Sequence, residues 1–117
     1  MYRIILSLGA ILAFSCGAEA HAFLDTASPS VGSTLRAAPA QVQITFTEPL
    51  EAAFSTVRVE DGAGARVDKN DNGVGPDPKV LHTSLPTLPV GSYQVIWRVL
   101  SVDGHVTEGK FKFNIAQ

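Results

Sequence analysis

The sequence predicts an all-β domain, a β-sandwich or small barrel, on three observations. Several segments alternate polar and apolar residues with a period of two and are rich in β-branched and aromatic side chains. Gly and Pro punctuate the intervals between them. No segment carries the 3.6-residue apolar spacing and capping residues of an amphipathic helix. Short strands at this spacing suit two packed sheets or one sheet closed on itself.

Residues 1–20 stand apart from that pattern. Arg3 supplies a positive start, and Ile4 to Phe14 is apolar apart from Ser7 and Gly9. Such a run suits the h-region of a signal sequence and is shorter than the about 20 residues needed to cross a bilayer. Ala18-Glu19-Ala20 is the small-x-small pattern that signal peptidase cuts after, so residues 1–20 read as a signal peptide and 21–117 as one exported, periplasmic domain. Cys16 does not carry a lipoprotein signal: Ala13 stands where leucine is usual, and bulky Phe14 fits poorly.

Within the exported part, Ser28-Pro29-Ser30-Val31-Gly32 is the first turn-rich interval. Residues 41–46 (Gln-Val-Gln-Ile-Thr-Phe) and 55–60 (Ser-Thr-Val-Arg-Val-Glu) alternate as half-buried strands. Residues 61–78 are rich in Gly, Asp, Asn and Pro, with Val67 and Val74 the only branched apolar residues. They read as a turn and a long mobile loop, with room for a short strand at 65–67. Residues 79–84 read as a strand containing His82, taken as a structural or surface histidine. After Leu88-Pro89-Val90-Gly91, residues 93–99 place Tyr93, Val95, Trp97 and Val99 on one face. Residues 110–115 place Phe111, Phe113 and Ile115 on one face and the lysines on the other. Trp97 and the phenylalanines are expected in the core.

Composition excludes several functions. The chain carries nine basic and eleven acidic residues; without Arg3 and Glu19 the formal charge is still −2, and no basic run or basic-aromatic patch suits nucleic acid. Cys16 and Met1 are the single residues of their kinds, and both precede the cut, so the exported chain has no disulfide and no thiolate or thioether site for Cu(I). No nucleophile elbow, phosphate loop or catalytic cysteine is present. Asp68-Lys69-Asn70-Asp71-Asn72-Gly73 imitates the start of an EF-hand loop, but Lys79 occupies the position of the bidentate glutamate and no helices flank it.

The residues that carry chemistry are His21, Asp103 and His105. A cut after Ala20 makes His21 the first residue, able to chelate one ion through its α-amine and its ring. In an extended strand Asp103 and His105 would face the same side, and Gly104 between them permits a bend or bulge. Amine, two imidazoles and a carboxylate are a donor set for tetragonal Cu(II), one ion per chain. Glu48, at the end of a strand, is placed to accept a hydrogen bond from a ligating imidazole and orient it.

Several stretches are similar to the CopC family of periplasmic copper-binding proteins. They are His21-Ala22-Phe23-Leu24 followed by Ser28-Pro29 and Gly32; Phe46-Thr47-Glu48-Pro49-Leu50; and Gly91 through His105, followed by Gly109 and Phe111. The resemblance implies a Greek-key β-barrel, or immunoglobulin-like sandwich. It also implies a Cu(II) site built from the terminal amine, His21, Asp103 and His105, with Glu48 near it. The role implied is copper resistance or supply, with a membrane copper transporter of the CopD type as partner. Lacking the methionines of a second site, the chain resembles the Cu(II)-only members. On this reading it is a monomer and not an enzyme. The competing readings are a small copper mono-oxygenase with an N-terminal histidine, opposed by the short chain and by Asp103 in an equatorial position, and a metal-free interaction module.

Overall fold

The computed structural model describes residues 22–117, and in it the alternating segments become strands of two facing four-stranded sheets. The strands are β1 (Leu24–Ser28), β2 (Thr34–Leu35), β3 (Gln41–Phe46), β4 (Thr56–Glu60), β5 (Gly73–Val74), β6 (Val80–Ser84), β7 (Gly91–Leu100) and β8 (Val106–Ile115). A 3-10 turn at Ala52–Phe54 joins β3 to β4. One sheet runs β1-β3-β6-β5 and the other β2-β8-β7-β4. Every pairing is antiparallel except β2 with β8. From β1 to β4 each successive strand lies in the opposite sheet, so the two layers are laced together by the chain in a Greek-key sandwich.

The inner faces hold the residues that the period-two pattern selects. Val42, Ile44 and Phe46 of β3 and Leu81 of β6 face Val57 and Val59 of β4, Tyr93, Val95, Trp97 and Val99 of β7, and Phe111, Phe113 and Ile115 of β8. Tyr93 stacks on Phe113 with ring centroids 5.5 Å apart, and its hydroxyl donates to the Pro89 carbonyl at 2.6 Å. That bond closes the turn into β7 as the tyrosine corner of a sandwich does. Burial, and secondarily the Asp61 carboxylate, push the Tyr93 phenol up from its ordinary value.

β7 and β8 form a ten-residue ladder from Gly91↔Ile115 to Leu100↔Val106. β8 begins earlier than its alternation shows because Gly109 interrupts the apolar face. The reason is steric. Trp97 stands directly across from Gly109, and a methyl group there would lie 2.6 Å from its Cζ2 and 3.0 Å from its Cε2. The indole fills the missing side chain's place and meets Phe46 of the other sheet edge-on, centroids 5.1 Å apart at 74°.

Residues 61–78 differ from the mobile loop that composition suggests. No named strand forms at 65–67. Arg66 bridges Glu60, and the Val67 N–H donates to the Val59 carbonyl at 2.8 Å, so the segment lies along the free edge of β4. Val67 and Val74 both pack on the core, and β5 pairs with β6. Two carboxylates hold the rest. Asp68, its side chain fully buried, accepts the N–H groups of Val59 and Asn70 and the Arg66 guanidinium; Asp71 accepts the Ser84 N–H and the Thr83 hydroxyl. These bonds, more than apolar contacts, tie the segment to both sheets. Burial alone would raise the Asp68 carboxyl, but hydrogen bonds from Arg66, Val59 and Asn70 outweigh it and hold the group below its ordinary value. Hydrogen bonds from Ser84, side chain then backbone, lower Asp71 likewise.

Two outcomes are expected. Gly109→Ala forces a methyl into a buried indole and should lower stability by about 1–3 kcal/mol in urea unfolding, with a changed emission from Trp97, the chain's single tryptophan. Asp68→Ala orphans the Val59 N–H and should cost about 2–4 kcal/mol. Because the folded carboxyl is lowered, its contribution is present above the unfolded value of 3.8 and is lost as pH falls through the folded value. Urea midpoints measured from neutral pH downward should therefore fall less steeply in the variant than in the parent.

Candidate metal centre

The hairpin turn from Ser101 to His105 joins β7 to β8, and its geometry follows from one glycine and one buried hydroxyl. Gly104 takes φ +93°, a left-handed conformation that strains any residue with a Cβ, and its N–H closes on the Ser101 carbonyl at 2.9 Å. The Ser101 N–H in turn reaches the His105 carbonyl at 2.9 Å. The turn therefore folds back on itself, with Asp103 at its tip and His105 at its exit.

That arrangement brings Asp103 and His105 together: Nδ1 of His105 lies 3.2 Å from Oδ1 of Asp103, with both side chains partly open to solvent. Sequence reasoning expects them to meet by strand alternation. They meet by curvature, because neither residue belongs to a strand. Two donors each about 2 Å from one ion and at right angles are about 2.8 Å apart, so a small closure of the observed pair would seat both on one metal ion.

Ser101, which is fully buried, organises the pair. Its hydroxyl donates to Asp103 Oδ1 and also lies 3.2 Å from the His105 carbonyl, while the His105 N–H approaches Oγ at 3.4 Å. The Ser101 hydroxyl, and after the opposing effect of burial the His105 ring, hold the Asp103 carboxyl below its ordinary value. A carboxylate kept ionised is a ready ligand for a cation.

Two other chain segments are fastened to this turn. Leu50 bridges Ser101, the Val102 N–H donates to the Pro49 carbonyl at 3.1 Å, and the Glu51 N–H donates to the Leu100 carbonyl at 2.8 Å. Glu48 is thus one residue from a direct contact with the turn; it is half-buried and makes no hydrogen bond or ion pair among the described residues. On the other flank Ala22, fully buried, gives its carbonyl to the Thr107 hydroxyl at 2.7 Å. Phe23 and Thr47 exchange two bonds, each 2.9 Å: the Phe23 N–H to Thr47 Oγ1 and the Thr47 N–H to the Phe23 carbonyl. His21 lies outside the described residues.

His82 is not part of this centre. It lies on the outer face of β6 in the opposite sheet, where a Cβ at Gly75 would come within 3.8 Å of its ring. The Asp68 and Asp71 carboxylates are engaged by hydrogen bonds from Val59, Asn70, Arg66, Thr83 and Ser84. A shallow depression lined by Asp61, Ser92, Tyr93 and Lys112 lies at the far end of the β7–β8 ladder from His105. Among the described residues no group of three or more His, Cys, Asp and Glu side chains gathers around a point; Asp103 and His105 stand as a pair. Sequence reading overlooks Ser101 and Thr107. The available signal was a hydroxyl two residues before the aspartate and another two residues after the histidine.

Comparison with known proteins fits this geometry. A family model described as the CopC domain matches residues 24–116. Copper resistance protein C of Escherichia coli is 30% identical over 122 residues, covering 97% of this chain and 95% of the relative. Copper transport protein CutJ of Bacillus subtilis is 36% identical over 100 residues, 84% of this chain, but the chain spans only 18% of CutJ. Among solved structures, CopC from Methylosinus trichosporium OB3b superposes with a TM-score of 0.72 at 39% identity, covering 81% of this chain and 93% of that one. PcoC, a methionine-rich copper resistance protein from Escherichia coli, superposes with a TM-score of 0.74 at 31% identity, covering 83% and 100%. The match thus embraces both sheets and the turn that carries Asp103 and His105, and this chain belongs to the CopC family.

Proposed function

We propose that this protein serves copper resistance by holding one Cu(II) ion between the amino terminus and the β7–β8 turn. Copper binding in copper resistance is the function its family supports. The observation that carries the finer reading is the seating of Ala22 on Thr107, two residues beyond His105. Ala22 is thereby held to the strand that leaves the turn, and on this reading the residue before it supplies the remaining donors.

Cleavage after Ala20 makes that residue His21, with a free α-amine. Its amine and imidazole, the His105 imidazole and the Asp103 carboxylate then fill the four equatorial positions of a tetragonal Cu(II) ion. Glu48, beside both the Phe23 pairing and the turn, accepts a hydrogen bond from a ligating ring and fixes its orientation. The donor set is nitrogen and oxygen throughout. With Met1 its single methionine, this chain does not share the methionine richness of PcoC, and cleavage after Ala20 leaves it no sulfur ligand for Cu(I). A full equatorial plane leaves no position for substrate, which favours a carrier over an enzyme.

The protein acts in the periplasm as a monomer. It passes its ion to a membrane copper transporter of the CopD type.

The test is the intact mass of protein recovered from its exported compartment, with and without Cu(II). The expected result is a chain beginning at His21 that retains one copper; a chain beginning elsewhere, or one that ignores Cu(II), overturns the reading. His105→Ala should weaken Cu(II) at least about 100-fold in chelator competition, beyond the effect typical of supporting residues. Affinity in the parent should fall in acid, because protons compete for the amine and imidazoles.

A further inference from the structure

Among the described residues, the Thr107 side chain ties β8 directly to the segment preceding β1. Its hydroxyl donates to the Ala22 carbonyl at 2.7 Å across 85 positions of sequence. The neighbouring contacts make this grip complete. The Ala22 methyl is fully buried, so the residue cannot rotate outward without exposing it. The next amide, Phe23 N–H, is held by Thr47 Oγ1, and the Phe23 carbonyl receives the Thr47 N–H. Residue 22 is thereby fixed on three sides: by Thr107 of β8, by the core, and by the strand end at Thr47. Thr107 follows His105 by two residues, with only Val106 between.

We propose that Thr107 is a positioning residue of the metal centre: by fastening Ala22 to the strand that leaves the Asp103–His105 turn, it limits the freedom of whatever donors precede Ala22 before an ion arrives. The inference rests on the copper reading above and deepens it. A chain terminus is ordinarily frayed and must lose conformational freedom to become a ligand. A hydrogen-bonded anchor one residue away removes most of that loss before the ion arrives, which raises affinity without adding a contact to the metal. The remaining donors, on a turn held by Ser101, are already in place. Thr107 touches no ligand atom; it acts through the backbone of Ala22.

The experiment compares Thr107→Val, which keeps the shape and removes the hydroxyl, with Thr107→Ser, which keeps the hydroxyl. Two readouts are taken on the processed protein. The first is metal-free: the heteronuclear NOE of the Ala22 and Phe23 amides. The second is Cu(II) affinity by chelator competition, with the nitrogen hyperfine pattern of the copper EPR signal.

The expected result in Thr107→Val is greater mobility at Ala22 and Phe23 and a Cu(II) affinity lower by about 10–100-fold, with Thr107→Ser close to the parent in both. In a His21→Ala background, where the terminal imidazole is absent, Thr107→Val should cost much less. A merely structural role would lower thermal stability equally in both backgrounds and leave the EPR pattern unchanged. Unchanged mobility in Thr107→Val overturns the anchor, whatever the protein does with copper. Increased mobility with copper affinity within twofold of the parent overturns the positioning role. A parent protein with an anchored Ala22 that binds no Cu(II) overturns the copper reading itself.

Discussion

The pairing of β7 with β8 is the constraint on which the rest of this molecule depends. Ten residue pairs in unbroken antiparallel register carry the largest part of the inner face of one sheet, and the same ladder ends in the turn that holds Asp103 and His105. Register in such a ladder cannot slip by one residue without turning every core side chain to solvent. Trp97 enforces it further, because the indole fits only where Gly109 leaves room. The position of the Asp103–His105 turn is thus set by the same packing that sets the core.

Stiffness at the turn follows from satisfied polar groups more than from apolar burial. Ser101 sits inside the fold and directs its hydroxyl at the Asp103 carboxylate, while its backbone closes on His105. Pro49, Leu50 and Glu51 strap the turn from the side through main-chain bonds. A site intended to hold a metal ion with strong geometric preference gains affinity when its donors do not have to be ordered first. The same economy of structure appears at residues 61–78, where Asp68 and Asp71 substitute hydrogen bonds to β4 and β6 for the apolar side chains that the segment lacks.

Family membership gives the site its setting, and the particular residues of this chain give it a character. The superposition with PcoC covers that whole chain, yet the methionine richness named for PcoC has no counterpart here. Nitrogen and oxygen donors at a solvent-facing turn suit a divalent, borderline-hard ion and disfavour a soft monovalent one. The match to 18% of CutJ places a domain of this kind within a much longer copper transport protein.

What the sequence determined by itself is the content of the two layers. Alternation in residues 41–46, 93–99 and 110–115 is a local property with a period of two, and the expectation that Trp97 and the phenylalanines form the core holds for Trp97, Phe46, Phe111 and Phe113, whereas Phe23 and Phe54, outside the alternating strands, are exposed. The sequence also named the chemistry of the candidate centre, because donor type is a property of single residues. Strands β1, β2 and β5 were not legible: β2 and β5 have two residues each, β1 is largely exposed, and all three exist by virtue of the strands they pair with. The meeting of Asp103 with His105 was expected, with Gly104 as the place for a bend, but its cause was not legible: the pair is closed by the turn and the buried hydroxyl of Ser101 and not by strand alternation. The bond from Thr107 to Ala22 and the role of Asp68 belong to tertiary structure as well. Both rest on polar contacts between side chains and main-chain groups, and such contacts leave no periodic trace in a sequence.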